Sequence, residues 1–531
     1  MRDADRWRAG GPATGSFWFS AVAIAASLAT LDALADDGVG RMERAGRRLR
    51  DGLAAQAVSH RLVVNQTGPV QMPVLTFAET SMFDPDGVSA LQLTPCQRFV
   101  HHQAAIVASW RSEIRYGGSV LERHLLRVAQ ESLRTFRVTV INGPRQSGKT
   151  TLARQLVADA GSYWSFDDES VRAAAGLDPH GFVEAGRAPM AIDEVQRGGN
   201  DVVLAIKSVV DQRTARGQFV LAGSTRFLSV PQLSESLAGR AEILDLWPFS
   251  QGELLGVTET FLDTLLTHAE RLPQRRCEQI DRNVLFARLI RGGYPELIEA
   301  SPHYAARWYR NYVRTVVERD VVEASAITQA EELPTLLRLI AANSSGELVT
   351  SRLANDAGMT VDTATRYIAL LELVGFVVRI RAWTPSLTTR EKRHPKMMLS
   401  DTGLACGLLG RNTVGLGAPT SALTGPLLES FVTMELVKQR GWSQVQPAIR
   451  HWRDRNGAEV DLIIEDDDGS VAGIEVKASS TVAHSDARHL GVLRDKLGDR
   501  FLGGIVLYLG ERALPLGERI WALPVSVLWS D

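Results

Sequence analysis

Cysteine is scarce in this sequence. Only Cys96, Cys277 and Cys406 occur among its 531 residues, and they lie far apart with no C-x-x-C spacing. This pattern excludes a disulfide framework and argues against a zinc site built on cysteines. Unpaired cysteines are typical of a reducing compartment, so we expect a cytoplasmic protein.

The sequence also lacks an excess of charge of either sign. Its 59 Lys and Arg residues nearly balance its 61 Asp and Glu residues, which gives a formal net charge of -2. The overall charge therefore gives no support for nucleic acid binding, and a nucleic acid partner would have to bind at a local basic patch.

No hydrophobic run is long enough to span a bilayer comfortably. The nearest candidate, residues 17–31, follows several arginines and has the pattern of a signal peptide. Its small alanine residues suit a buried helix as well, and we expect no membrane partner.

A chain of this length is too long for one hydrophobic core. We predict four domains, at residues 1–112, 119–326, 327–394 and 395–531. The second alternates apolar runs with amphipathic stretches, which predicts an α/β fold with a parallel sheet covered by helices. The third is a compact helical unit, and the fourth mixes short strands with helices.

One loop carries the clearest chemical signal. An apolar, β-branched run at residues 137–142 leads into a glycine-containing loop and a predicted helix at residues 151–157. Glycines let backbone amides turn towards phosphates, and the helix N-terminus adds positive potential. Lys149 is placed to reach the terminal phosphates, and Thr150 can offer its hydroxyl to Mg²⁺. We predict that ATP is bound by Gly143, Pro144, Arg145, Gln146, Ser147, Gly148, Lys149, Thr150 and Thr151.

A second predicted strand ends in two carboxylates, Asp193 and Glu194. Burying carboxylates without a cation is costly, so Asp193 is expected beside Mg²⁺. Glu194 is expected to orient and polarise the attacking water.

Three further polar residues are candidates for the same site. Ser224 and Thr225 follow a third predicted strand and could sense the γ-phosphate. Arg240 could stabilise charge in the transition state, in cis or from a neighbouring subunit of a homo-oligomer, or it could be a solvated loop residue.

These residues resemble a known family from about residue 121 to the C-terminus. The likeness is to bacterial and archaeal ATPases with an AAA-type core followed by the domain of unknown function 4143, and it implies MgATP binding and a matching architecture. It is carried by the phosphate-binding loop and by Phe166-Asp167-Asp168, Ile192-Asp193-Glu194-Val195-Gln196, Gly292-Gly293-Tyr294-Pro295-Glu296, Asp401-Thr402-Gly403-Leu404 and Gly425-Pro426-Leu427-Leu428-Glu429.

The helical unit has the pattern of a winged helix-turn-helix. Residues 350–358 and 360–373 predict two helices around a glycine turn, with Thr360 as N-cap, and residues 376–381 predict a strand. The second helix could place Thr363, Thr365 and Arg366 in a DNA major groove. Such units also bind proteins or serve only structure, so DNA and protein partners both stay open.

The last domain resembles the PD-(D/E)XK nuclease core, a restriction-endonuclease-like α/β fold. That likeness implies a second metal site, with Asp461 and Glu475 as ligands, Glu429 as an added ligand and Lys477 steadying water or phosphate. The alternative is that Glu475 and Lys477, two apart on one strand, share a face and form an ion pair.

Residues 1–112 fit no part of that family. Residues 14–26, 44–53 and 67–73 resemble the small C-terminal domain of class III aminotransferases of the glutamate-1-semialdehyde type. The large domain of that class and its pyridoxal-phosphate lysine have no counterpart in these residues. We therefore expect no aminotransferase activity, and we expect ATP binding to survive deletion of residues 1–112.

Three functions follow from this sequence. The first is an ATPase that acts as a molecular switch, with DNA as a candidate partner. The second is a metal-dependent DNA nuclease regulated by ATP, and the third is a non-catalytic adaptor that ATP holds in one conformation.

Overall fold

A computed structural model describes residues 65–67, 74–76, 121–158, 161–223, 237–316, 332–384, 394–417, 421–454 and 457–530. The chain forms two compact units, Met1–Ser109 and Trp110–Asp531. In the first, strands β1 (Asn65–Thr67) and β2 (Val74–Thr76) pair antiparallel. The run at residues 17–31 and most of the aminotransferase-like segment lie outside the described residues.

The second unit begins with a parallel sheet flanked by helices. Its strands lie in the order β4-β5-β6-β3-β7, and every pairing is parallel, which confirms the predicted α/β fold. In chain order the elements are α1 (Leu125–Thr135), β3 (Val138–Asn142), α2 (Lys149–Val157), β4 (Ser162–Ser165), α3 (Glu169–Leu177), α4 (Pro179–Ala185), β5 (Met190–Asp193), α5 (Gly199–Gln212), β6 (Phe219–Ala222) and β7 (Ala241–Asp245).

The central strand β3 shows why this sheet forms. All five of its residues are buried. Ile141 packs with α1 and α2 on one face of the sheet, whereas Val138 and Val140 pack with α5 on the other. Since each buried aliphatic side chain contributes about 1.5–3 kcal/mol, this two-sided burial favours a central parallel strand.

Helices and a small sheet follow the ATPase-like sheet. The helices α6 (Gln251–Leu255), α7 (Phe261–Thr267), α8 (Arg282–Arg291), α9 (Pro302–Val316) and α10 (Leu333–Ala342) precede β8 (Gly346–Glu347), α11 (Thr350–Asp356), α12 (Val361–Leu373), β9 (Val377–Ile380) and β10 (Lys396–Leu399). The strands form an antiparallel sheet in the order β8-β10-β9.

The structure confirms the two helices and the turn predicted in this region. Gly358 has a φ of +69° between α11 and α12, and the side chain of Thr360 accepts a hydrogen bond from the amide of Thr363. Thr365 and Arg366 are exposed, but the hydroxyl of Thr363 pairs with that of Thr360 at 2.9 Å.

The predicted domain boundary at residue 394 does not match the strand pairing. Lys396 in β10 pairs with Glu347 in β8 and with Ile380 in β9. β10 was assigned to the C-terminal domain because it follows a polar, proline-containing stretch. Its backbone partners place it in the sheet of the helical unit instead.

The C-terminal region is built on a six-stranded mixed sheet. Its strands lie in the order β11-β12-β13-β14-β16-β15. The elements are α13 (Thr402–Leu409), α14 (Thr413–Gly417), α15 (Thr424–Arg440), β11 (Ala448–Arg453), β12 (Glu459–Glu465), β13 (Val471–Lys477), α16 (Arg488–Leu497), β14 (Phe501–Tyr508), β15 (Leu514–Gly517) and β16 (Ile520–Pro524). One face shares a hydrophobic core with α7 to α15, so the helical unit and this sheet are packed together.

None of the described helices combines the length and the apolar character that crossing a membrane requires.

Candidate functional site

The loop between β3 and α2 is shaped by its glycines. Gly143 has a φ of +151°, and a Cβ there would lie 2.1 Å from the carbonyl oxygen of Leu246. Gly148, the N-cap of α2, has a φ of +101°. A side chain at Gly143 would collide with the backbone, and one at Gly148 would strain the loop, so both positions require glycine.

Lys149 is buried within this loop. Its Nζ donates to the carbonyl oxygens of Gly143 at 2.8 Å and Pro144 at 2.7 Å, and the residue is 5% exposed. Both acceptors are uncharged, so the ammonium charge is not neutralised by them. The hydroxyl oxygen of Ser147 is buried in the same loop without a hydrogen-bond partner. A buried cation and an unsatisfied hydroxyl in a glycine loop fit a phosphate group.

Asp193 ends β5 beside the start of α2. Its Oδ2 accepts from the Thr150 hydroxyl at 2.6 Å and from the Tyr163 hydroxyl at 2.9 Å. Burial and the nearby Asp193 raise the pKa of Tyr163, which keeps that hydroxyl a donor. The carboxylate and the Thr150 hydroxyl together are oxygen ligands of the kind that Mg²⁺ prefers.

Glu194 lies just beyond the strand in a left-handed conformation. Its φ is 51° and its ψ 42°, and its carboxylate accepts a hydrogen bond from the side chain of Gln196. The structure thus brings Lys149, Thr150, Asp193 and Glu194 to the carboxyl edge of one sheet.

The other sequence-predicted residues are placed differently. The backbone carbonyl of Arg240 accepts from the amide of Val138, at the amino end of β3 and therefore opposite the phosphate loop. Its guanidinium pairs with Asp211. The structure does not bring Arg240 to the site of its own chain, and its action from a neighbouring subunit stays a prediction. Ser224 and Thr225 lie outside the described residues.

Sequence reasoning missed an arginine that holds the phosphate loop. Arg123 donates to the carbonyls of Ser147 at 2.7 Å and Trp247 at 2.6 Å, and its Nε lies 2.9 Å from Glu253. Its guanidinium also lies 4.4 Å from the ring centroid of Phe249. Arg123 precedes α1 in a stretch with no motif, so no local signal distinguishes it from a surface arginine.

A tyrosine from α9 also contacts the tip of the loop. The Tyr312 hydroxyl donates to the carbonyl of Arg145 at 2.9 Å and receives a bond of 3.2 Å from Tyr294. The ring of Tyr312 stacks on Trp308 with centroids 4.8 Å apart. On the same side, a Cβ on Gly375, between α12 and β9, would lie 3.2 Å from the backbone nitrogen of Pro144.

The predicted second metal site contains a lysine at its centre. The Nζ of Lys396 lies 2.7 Å from Glu429, 3.3 Å from Glu459 and 3.5 Å from Asp461. Lys396 is 3% exposed. Sequence reasoning gave this lysine no role in the site, because its partners come from α15 and β12, more than thirty residues away.

Glu475 and Lys477 form the ion pair that the sequence offered as the alternative to metal binding. The Nζ of Lys477 lies 2.7 Å from Glu475 Oε1, and the amide of Val476 donates to Asp461 at 2.9 Å. No group of three or more His, Cys, Asp or Glu side chains within the described ranges is arranged to hold a metal ion. The proposed metal ligands Glu429, Asp461 and Glu475 are therefore neighbours that face lysines.

Charge and burial shift the pKa of Glu429, Glu475 and Lys396. Burial and then Asp461 raise the pKa of Glu429 to about 8 and that of Glu475 to about 7. Burial alone would lower the pKa of Lys396, but Glu429 and Asp461 outweigh it and the pKa is raised. The pKa values of these acids and of the lysine rise for one shared reason. Four carboxylates surround two ammonium groups, so the cluster retains protons.

Known families match most of the second unit. The AAA domain matches residues 135–255, the domain of unknown function DUF8612 matches residues 282–414, and the domain of unknown function DUF4143 matches residues 424–528. The gap between the last two matches, residues 415–423, begins within α14 and lies beyond β10. This division agrees with the strand pairing of β10.

Two mycobacterial proteins are similar over most of their length. An uncharacterized protein of Mycobacterium tuberculosis and one of Mycobacterium bovis are each 30% identical over 394 residues, which is 73% of this chain and 80% of theirs. An aminopentol aminotransferase of Sphingopyxis macrogoltabida is 46% identical over 74 residues, 14% of this chain and 17% of that protein. This short match supports the likeness to an aminotransferase fragment and nothing larger.

Solved structures give weaker likenesses. A RuvB protein of Thermotoga maritima is 20% identical with a TM-score of 0.23, covering 50% of this chain and 91% of that chain. A DNA replication initiation factor is 14% identical with a TM-score of 0.24, covering 48% and 90%. With TM-scores this low, neither carries an argument about this chain.

The family therefore follows from the matched domains and from the mycobacterial proteins. The parallel sheet and the glycine loop agree with it. The chain belongs to the family of AAA-type P-loop ATPases that carry a C-terminal DUF4143 domain.

Proposed function

We propose that the chain binds and hydrolyses MgATP and uses this cycle as a molecular switch. The observation that carries the proposal is the 2.6 Å hydrogen bond from the Thr150 hydroxyl to Asp193, which joins residues 43 positions apart. It sets two oxygen ligands for Mg²⁺ beside Lys149 at one sheet edge. When bound, Mg²⁺ offsets the charge of the β- and γ-phosphates.

The residues of the chain have distinct parts in this proposal. Lys149 exchanges its two carbonyl partners for phosphate oxygens, which are stronger acceptors because they are charged. The backbone amides of Gly143 and of residues 145–148, together with the N-terminus of α2, hold the phosphates in place. Glu194 orients the attacking water and accepts its proton.

The switch is proposed to act through the tip of the loop. Tyr312 of α9 bonds the carbonyl of Arg145, and Gly375 of the helical unit packs against Pro144, so both α9 and the helical unit contact the loop. A loop that reorganises around phosphate changes these contacts. The shared core then links the helical unit to the C-terminal sheet.

The exposed side chains on α12 favour DNA as the partner. Thr365 and Arg366 are exposed on this helix, which follows the glycine turn of a helix-turn-helix. A winged helix-turn-helix could place such residues in a major groove. A protein partner is the alternative, in which ATP only holds a conformation and no turnover is needed.

Nuclease chemistry, which the resemblance of the C-terminal region to the PD-(D/E)XK core suggests, is the less favoured candidate. Its acidic residues face Lys396 and Lys477 at short distances. A nicking assay with Mg²⁺ or Mn²⁺ on the chain and on Asp461→Ala separates this candidate from the switch. Cleavage that disappears in the variant would favour the nuclease.

The deciding experiment is steady-state phosphate release from the full chain, with and without double-stranded DNA, beside Lys149→Ala. We expect turnover by the wild type, none by the variant, and a faster rate with DNA. Nucleotide binding without turnover would reject the ATPase switch in favour of the adaptor. Turnover that DNA does not change would reject DNA as the partner and leave ATP hydrolysis standing.

A further inference from the structure

The acidic cluster of the C-terminal region consists of Glu429, Glu459, Asp461 and Glu475, and the proposed ATPase cycle does not use it. Glu429 comes from α15, Glu459 and Asp461 from one face of β12, and Glu475 from the neighbouring strand β13. The first three of these carboxylates lie around Lys396 from a different sheet, on strand β10, and Glu475 pairs with Lys477. The question is what cation this cluster is built to hold.

Lys396 has the position of a bound cation. Three carboxylates lie within 3.5 Å of its ammonium, at 2.7, 3.3 and 3.5 Å. An ammonium has three N–H donors, so this set of partners matches its capacity. The lysine is 3% exposed, and its charge is therefore held by these carboxylates and not by water.

One carboxylate oxygen in the cluster has no partner. Glu475 is 8% exposed, and its Oε2 is buried without a hydrogen bond, while Oε1 is bonded to Lys477. An unsatisfied buried carboxylate oxygen beside Asp461 is a ligand position that neither lysine fills. Acidic groups from α15 and β12 thus surround Lys396, and Glu475 of β13 adds a carboxylate oxygen without a hydrogen-bond partner.

We propose that the ammonium of Lys396 is the resident cation of this cluster, in place of a divalent metal. The same carboxylates form a Mn²⁺ or Mg²⁺ site when the lysine is removed. The ligand oxygens would have to move inward by about 1 Å, because such metals bind oxygen at about 2.0–2.2 Å. In the native chain the cluster therefore fastens β10 to α15 and β12.

The test is Mn²⁺ binding by the full, nucleotide-free chain. Binding is measured as the decrease in the electron paramagnetic resonance signal of free Mn²⁺. We expect no Mn²⁺ at the cluster in the wild type and one Mn²⁺ per chain in Lys396→Met. Adding Asp461→Asn to that variant should abolish the gain. Bound Mn²⁺ should also raise the Tm of Lys396→Met and leave that of the wild type unchanged.

Lys438→Met is the matched control. Lys438 is also buried, at 6% exposure, and lies 2.7 Å from Glu435. Its carboxylate partner is single, so its removal should create no metal site.

Two results would overturn the proposal. One is a wild type that already binds Mn²⁺ in a manner lost in Asp461→Asn. The other is a folded Lys396→Met, judged by circular dichroism and unchanged ATP affinity, that binds none. If Lys396→Met does not fold, Lys396→Gln takes its place, and the wild-type measurement remains decisive by itself.

Discussion

Two buried lysines distinguish the two polar sites of this protein. Lys149 donates to the backbone carbonyls of Gly143 at 2.8 Å and Pro144 at 2.7 Å, inside a glycine loop that fits a phosphate group. Lys396 lies among three carboxylates, at 2.7, 3.3 and 3.5 Å. A buried lysine in a glycine loop fits an anionic ligand, whereas one among carboxylates forms a closed ionic contact.

The largest expected effect comes from replacing one acidic residue in each site, Glu194 in the first and Glu475 in the second. Glu194→Gln should lower phosphate release by roughly 100- to 10,000-fold, the usual contribution of a general base, while ATP binding persists. Glu475→Gln should leave turnover unchanged, because that carboxylate is paired with Lys477 and lies in the other site. Steady-state phosphate release and ATP affinity of both variants measure this contrast. Equal losses in the two variants would remove the distinction.

For the free energy of unfolding we expect the reverse order, with a larger loss from replacing Lys396 than from replacing Lys149. Lys396→Met leaves buried carboxylates without their cation and should lower the free energy of unfolding by about 3–5 kcal/mol. Lys149→Met removes the donor of the Gly143 and Pro144 carbonyls and should cost about 1–2 kcal/mol. Urea unfolding of both variants without nucleotide gives the comparison. A larger loss for Lys149→Met would contradict the assignment of neutral and charged partners.

A histidine near Lys396 should make the stability of the C-terminal region depend on pH. Burial and then the charge of Lys396 lower the pKa of His451 to about 4. Since the unfolded value is about 6.5, stability from the neutral ring is present above pH 6.5 and is lost as pH falls through 4.

The corresponding variant is His451→Gln, which retains an amide donor for the carbonyl of His394. Unfolding by urea at pH 7 and pH 4 should show the wild type losing about 3 kcal/mol relative to the variant, since each pKa unit is worth about 1.4 kcal/mol. Groups common to both proteins cancel in this difference. A difference that stays constant between the two pH values would contradict the lowered pKa.

Sequence patterns predicted the features that are formed by residues adjacent in the chain. The glycine loop, the strand before it and the helix after it are contiguous, and so are the helix-turn-helix and its Thr360 cap. The pairing of β10 with β8 and β9 was missed because it joins distant segments across a polar stretch. The contact of Arg123 with Ser147, and of Lys396 with three carboxylates, is equally non-local. Whether an acidic cluster binds a metal or forms ion pairs depends on such distant partners, which no single motif contains.

The smallest effect concerns the link between the two regions. Tyr312→Phe removes the hydroxyl that bonds the carbonyl of Arg145 at 2.9 Å and keeps the ring on Trp308. One such hydrogen bond is worth about 1 kcal/mol, so the Kd for ATP should rise roughly fivefold as the loop loses order.

Tyr294→Phe is the control, because its hydroxyl bonds Tyr312 and not the loop. ATP affinity by fluorescence titration, with the signal of Trp308 identified by its loss in Trp308→Phe, measures both variants. If the loop communicates with the helical unit through Tyr312, the Trp308 signal on ATP binding shrinks in Tyr312→Phe and persists in Tyr294→Phe. An unchanged signal in both variants would mean that the Tyr312 hydroxyl does not couple the phosphate loop to α9.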